Sequence, residues 1–182
     1  AVEVCHIING QVRVFDEIFE RELVVSDIID LCRNRFWWKE TLKVGVIDVA
    51  GTAHAGAMPS NTEIWMKEAN INMLSQSVKI IDGIERMNSM LKADPLTLEP
   101  NLVIDPRCKG LISEFGGSPN PFDGQVRVYK WNMNREGSIV GNVPRDKYNH
   151  GIKALTYLLV NQFGYASNNY LERELIPVSR FR

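Results

Sequence analysis

Two strand-like runs open the chain, Val2-Glu3-Val4-Cys5-His6-Ile7-Ile8 and Gln11-Val12-Arg13-Val14-Phe15-Asp16-Glu17-Ile18, joined by Asn9-Gly10. Asn-Gly suits a two-residue turn with positive φ at both positions, so the runs predict an antiparallel hairpin. The apolar spacing then becomes helical: Ile28, Ile29, Leu31, Cys32 and Phe36 share one face of a helix that starts at Ser26 as its cap and ends near Trp37-Trp38. Leu42 to Ile47 is short, apolar and bounded by a loop, the pattern of a buried strand. Ser60-Asn61-Thr62-Glu63 has capping-box spacing and predicts a helix from about Asn61 to Ala69. Ile80, Ile81, Ile84, Met87 and Leu91 mark a further helix that Asp94-Pro95 stops.

The last third carries a strand over Leu102 to Ile104, a short helix around Cys108 to Phe115, and a hairpin from Gln125 to Val140 turning at Asn134-Arg135-Glu136-Gly137. An amphipathic helix around Asn149 to Leu155 comes next. Strands alternating with helices argue for an α/β sheet with helices on its faces. The body therefore covers residues 1–165, and residues 166–182 read as a polar tail whose Leu171, Leu175, Ile176 and Val178 dock back on it.

Composition narrows the class. The 182 residues are 45% hydrophobic and 24% charged, enough apolar material for one ordinary domain. No apolar run approaches the roughly 20 residues that span a bilayer, and a soluble intracellular protein is the simplest expectation. Cys5, Cys32 and Cys108 are odd in number and far apart, so they read as buried free thiols rather than a disulfide framework or a zinc site. Net charge is -1, yet residues 105–153 hold eight Lys or Arg against five Asp or Glu, a local cationic surplus.

Asp48 is the first candidate for chemistry, because it ends an apolar strand and faces the small-residue loop Val49 to Gly56. Ligands of α/β sheets gather at the carboxyl ends of strands, and a carboxylate there can hold Mg²⁺ or Mn²⁺. The alternative is that Asp48 caps the turn after its strand. The loop lacks a phosphate-loop Lys-Ser or Lys-Thr and a dinucleotide fingerprint. Asp105 ends another strand and is a neighbour of Asp48 if the two strands are adjacent; Glu17 either approaches a metal site or forms a surface ion pair. His54 and His150 have no nucleophile motif nearby and support no hydrolase triad. Trp37-Trp38 reads as a core anchor more readily than as a base-stacking platform.

The order of these pieces resembles the nuclease domain of the large terminase subunit of tailed bacteriophages. Val14 to Ile18 is similar to that family's third strand, Val46-Ile47-Asp48-Val49-Ala50-Gly51 to its second acidic strand, Ile81-Asp82-Gly83-Ile84 to the helix after it, and Leu102 to Glu114 to the next strand and helix. The resemblance implies a ribonuclease-H-like mixed sheet with flanking helices, the first strand apparently missing from this chain. It implies metal-dependent endonucleolytic cleavage of concatemeric double-stranded DNA during genome packaging, with Asp48 catalytic and two ions, Mg²⁺ or Mn²⁺, at the site. Its implied partners are duplex DNA, the portal and the small terminase subunit, with an ATPase domain upstream in the same polypeptide, in host cytoplasm and transiently at the viral procapsid. The hairpin and the segment leading from it into the last helix would then lie along DNA through Arg127, Lys130, Arg135, Arg145 and Lys147.

Two departures qualify the activity. The family's final helix reads Asp-His followed by Asp-Ala-Leu, whereas this chain has Asn149-His150 and Lys153-Ala154-Leu155. Lys153 thus stands where a metal carboxylate is expected, unless Asp146 fills the site instead. At ~4 Å and an effective dielectric of ~20, such a reversal is worth several kcal/mol. The sequence therefore also allows a catalytically degenerate module that binds DNA or docks to the packaging motor.

Overall fold

The computed structural model describes residues 1–39 and 44–165. Leu42 and Lys43 of the expected strand, and the tail over 166–182, lie outside the described residues.

Strand β1 (Val2–Ile8) and strand β2 (Gln11–Ile18) form the expected hairpin, with Asn9 at φ 51° and Gly10 at φ 80°. Both turn residues are left-handed, as a mirror-type turn matched to strand twist demands. From that turn Ile8 faces Gln11 and Cys5 faces Val14, but Val4 then faces Asp16, so Phe15 is an extra residue in β2. This bulge moves Glu3 from opposite Asp16 to opposite Glu17. Strand β5 (Leu102–Ile104) lies parallel to β2 on its other side, giving a mixed sheet ordered β1-β2-β5. Strands β3 (Gly45–Ile47) and β4 (Met73–Ser75) make a separate parallel pair, and β6 (Trp131–Met133) and β7 (Ile139–Pro144) an antiparallel one. The architecture is α/β, a mixed sheet flanked by helices.

The helices are α1 (Val25–Arg33), α2 (Asn61–Ile64), α3 (Ile80–Leu91), α4 (Lys109–Glu114) and α5 (His150–Phe163). Ser60 caps α2 as its spacing predicts, its hydroxyl accepting from the Glu63 amide and its own amide donating to the Glu63 carboxylate. The helix then widens into a π-helical turn, Trp65–Ala69, closed by left-handed Asn70. Ser26 is not the cap of α1. The cap position is Val24, two residues earlier, where the Val24 amide donates to Asp27, and Ser26 donates to Glu68 instead. The C-terminal hairpin is also shifted: Gln125 to Lys130 is irregular, and the strands start at Trp131, because Gly124 and Arg127 are held in a turn built on Asn120 and Asp123. β4 was not evident in the sequence, being a three-residue strand whose partner is parallel and distant.

Two hydrophobic clusters hold these pieces. Val12, Val14, Met87, Leu102, Leu111, Leu155 and Leu159 pack β2 and β5 against α3, α4 and α5. Val4, Ile18, Ile29, Cys32, Trp37 and Trp65 form the second, between the hairpin, α1 and the turns carrying the two tryptophans. Trp37 is thus a core anchor, and its indole donates to buried Asp16 at 2.6 Å. Cys108 and Cys32 are buried thiols, burial pushing Cys108 up to about 12 and Cys32 to about 11, and Cys5 is pushed up further. No described helix is long and apolar enough to cross a membrane.

Helices α3 and α5 approach closely at Gly83, where a Cβ would overlap the Thr156 methyl. Gly83→Ala gains ~1 kcal/mol of helix propensity, but overpacking this contact costs about 1–3 kcal/mol. A net loss of about 1 kcal/mol in urea unfolding is the expected result, and a stabilised variant would show the contact to be loose.

Candidate functional site

The start of α5 gathers most of the polar side chains that burial and position single out. Helix N-termini carry unsatisfied amides and partial positive charge. Here Asn149 supplies no side-chain cap; its amide nitrogen donates to Asp146 instead. The buried carboxylate of Glu114, at the end of α4, accepts from the His150 and Ile152 amides at 2.8 Å each. Glu17 does the same for α4, accepting from Gly110 at 2.6 Å and Leu111 at 2.9 Å. Glu17 is therefore a capping carboxylate rather than a member of a surface ion pair.

Between these two capping carboxylates stands Glu3. Its two carboxylate oxygens are buried and have no hydrogen-bond partner among the described residues. It can come so near α5 because residue 151 is glycine: a Cβ there would sit 2.7 Å from Glu3 Oε1. Burial first, then the charges of Glu17 and Glu114, push the Glu3 carboxyl up to about 8. Burial likewise raises Glu17 and Glu114, the backbone amides pulling partly the other way. This trio is hidden in the sequence because the plain turn register puts Glu3 opposite Asp16, and only the bulge brings Glu17 beside it.

Asp48 does stand at the end of β3, and it serves as a cap, its Oδ1 accepting from Ala50 at 3.1 Å. Its other oxygen accepts from the Tyr157 hydroxyl of α5 at 2.9 Å. Burial and that bond push the Tyr157 hydroxyl up to about 12. Lys153, one turn earlier on the same helix, binds Asp146 at 2.6 Å, and Lys153 together with Asn149 holds the Asp146 carboxyl below its ordinary range. Asp105 is not next to Asp48: β5 pairs with β2 and β3 with β4, and Asp105 is engaged by Arg107. His54 rests on the Met58 carbonyl.

The two carboxylates expected to hold metal both have protein partners. Asp48 is held by a turn amide and a phenol, Asp146 by an ammonium and an amide. Among the described residues no three His, Cys, Asp or Glu side chains group into a metal site.

The cationic residues divide. Arg127 is tied to Asp123 at 2.9 Å and donates to the Tyr148 hydroxyl, its guanidinium 5.2 Å from that ring. Lys130 and Arg145 are neighbours at the base of the β6-β7 hairpin, joined by the Arg145 amide donating to the Lys130 carbonyl. Arg135 is on its turn and Lys147 just beyond its base; all four are exposed and make no ion pair among the described residues. A cavity of about 560 Å³ opens beside Lys147, lined also by Arg21, Glu114, Phe122, Tyr148 and His150.

No family model, curated protein or solved structure matches the chain.

Proposed function

We propose that the chain is a ribonuclease-H-like module of the terminase large-subunit class, and that its own residues bind duplex DNA through the backbone. The observation that carries the class is the meeting of a strand-end carboxylate with the last helix, Asp48 on Tyr157, one turn from Lys153. The resemblance itself rests on the order and spacing of the strands and helices. The exposed cations from Arg135 through Lys130 and Arg145 to Lys147, which make no ion pair among the described residues, suit a polyanion bound by charge and without base reading. In this reading the portal, the small subunit and an upstream ATPase domain are partners in packaging at the procapsid.

A second reading, cleavage of concatemeric DNA with Mg²⁺ or Mn²⁺, is favoured by Asp48 standing at the carboxyl end of a parallel strand. The Lys153 to Asp146 ion pair opposes it in this chain.

Fluorescence anisotropy with a labelled duplex tests the first reading. Each lost phosphate contact is expected to lower the slope of log affinity against log salt by about 0.9, so the Lys130→Ala, Arg145→Ala, Lys147→Ala triple variant should bind weakly and with a shallower slope. Equal binding by the triple variant removes the DNA assignment. Plasmid nicking with Mn²⁺ tests the second: activity that appears in Lys153→Asp and disappears when Asp48→Ala is added would replace the binding reading with a cutting one.

A further inference from the structure

The two most exposed large apolar side chains among the described residues stand two positions apart, Leu96 at 92% and Leu98 at 78%. They lie in the loop from α3 to β5, which is closed on itself. Ala93 bridges Pro100, the Asp94 amide donates to the Glu99 carbonyl at 2.9 Å, and the Leu98 amide donates to the Asp94 carbonyl at 2.7 Å. Asp94 Oδ1 accepts from the Leu96 and Thr97 amides, and Thr97 Oγ1 from the Glu99 amide. With proline at 95 and 100, every backbone donor from Asp94 to Pro100 is spent inside the loop. Leu98 is held at φ 61°, a left-handed conformation rare for a bulky residue and easy for glycine. A leucine kept there and left open to water gains almost no packing in return. The base of the loop is tied to the first hairpin, Gln11 donating to the Pro100 carbonyl and the Val12 amide to that of Asn101. Exposed Ile8, paired with Gln11, is at the same end of the sheet. Glu17 and, through Glu3, the start of α5 stand at the other end of β2, ~20 Å away at ~3.3 Å per residue.

The chemistry of the loop narrows what can cover it. An added strand needs main-chain donors, and these are already used. Lys92 beside Asp94 and Glu99 makes no cationic patch for nucleic acid or an anionic bilayer. A convex loop of seven residues offers far less than the ~800 Å² per partner of a standard interface, and two such loops meeting as copies of this chain would bury little. Sufficient area is reached only if the partner wraps around the leucines. We propose that Asp94 to Pro100 is a docking loop whose occupant is a different protein, with a concave apolar pocket that takes the Leu96 and Leu98 side chains. Hydrogen-bond donors on the rim of that pocket meet the Leu96 and Thr97 carbonyls, which accept no hydrogen bond among the described residues. The loop is ordered before the partner arrives, so little entropy is lost on binding. The inference uses no part of the DNA or nuclease reading.

The test puts the photo-crosslinker benzoylphenylalanine in place of Leu96 in the full chain, in cells that carry its gene, and reads the crosslinked residues by mass spectrometry. The captured protein is then purified and its affinity for the parent chain and for variants is measured by calorimetry. Crosslinks are expected on the walls of an apolar pocket of one protein. The Leu96→Ser, Leu98→Ser double variant should bind about thirtyfold more weakly, and Leu96→Met within about threefold of the parent. Leu98→Gly should bind about tenfold more weakly, with a melting midpoint unchanged or higher, since glycine suits that φ. A lower midpoint would make the leucine a structural residue and overturn the proposal. So would binding that survives the double serine change, an absence of crosslinks, or crosslinks to a second copy, to residues 166–182 of the same chain or to a flat polar surface. Sedimentation with phosphatidylglycerol vesicles that depends on the two leucines would replace the protein partner with a bilayer.

Discussion

Glu3→Gln is expected to raise the unfolding midpoint by about 10 °C at about pH 9 and to leave it nearly unchanged at about pH 4. The carboxyl of Glu3 is pushed from an ordinary 4.5 up to about 8, by burial first and then by Glu17 and Glu114. Between those two values the folded chain holds a proton that the unfolded chain has released. Stability from this group is thus fully present below the unfolded value and is lost as pH rises through about 8. At ~1.4 kcal/mol per pH unit, the rise from 4.5 to about 8 makes the loss of order 5 kcal/mol. For a chain of this length that corresponds to about 10 °C, at ~2–4 °C per kcal/mol. Glu17 and Glu114 are raised as well and act in the same direction. Glutamine keeps the shape and never ionises. Parallel melting curves for the two proteins across this pH range would show that Glu3 gains partners when charged, and the account of a stranded carboxylate would fail.

Glu114→Ala should cost about 2–4 kcal/mol near neutral pH, because it orphans two amides at the head of α5, each worth ~1–3 kcal/mol when buried and unmet. A counter-effect exists: removing Glu114 relieves one of the charges that raise Glu3. That relief is smaller, since burial is the leading cause at Glu3 and Glu114 ranks behind Glu17. Glu114→Gln retains one acceptor oxygen and should lose about half as much. Urea unfolding reads the energies, and amide exchange at His150 and Ile152 locates them. Because Lys153 and Tyr157 ride on α5, fraying its first turn should also loosen the ion pair with Asp146. A Glu114→Ala protein as stable as the parent would mean that water or another acceptor takes over these amides.

How much of this was legible in the sequence depends on the range of the interactions. Asn9-Gly10 specified its hairpin, and Ser60 with Glu63 specified a helix start, because each device is complete within four residues. The apolar faces of α3 and α5 were legible for the same reason. Ser26 misled, since a serine can cap or reach a distant partner, and Glu68 was the better one. Asp48 was placed rightly at a strand end, but its Tyr157 partner is more than a hundred residues away and no local pattern announces it. Arg127 looked like a free phosphate ligand until Asp123 and Tyr148 claimed it. The buried glutamates were the largest omission. A signal existed, an acid on each arm of one hairpin, but choosing their register required knowing where the bulge falls.

That hairpin also fixes the order of events during folding. β1 and β2 are joined by two residues already suited to their turn, so their pairing can close on the ~1–10 μs scale of isolated hairpins. The parallel contact of β2 with β5 must wait until Val12 finds Leu102, across α1, α2 and α3. Loop-closure entropy makes such distant pairings late and slow. Mutations in the Asn9-Gly10 turn should therefore act on the folding limb of a chevron plot, and those at the β2 to β5 seam on the unfolding limb.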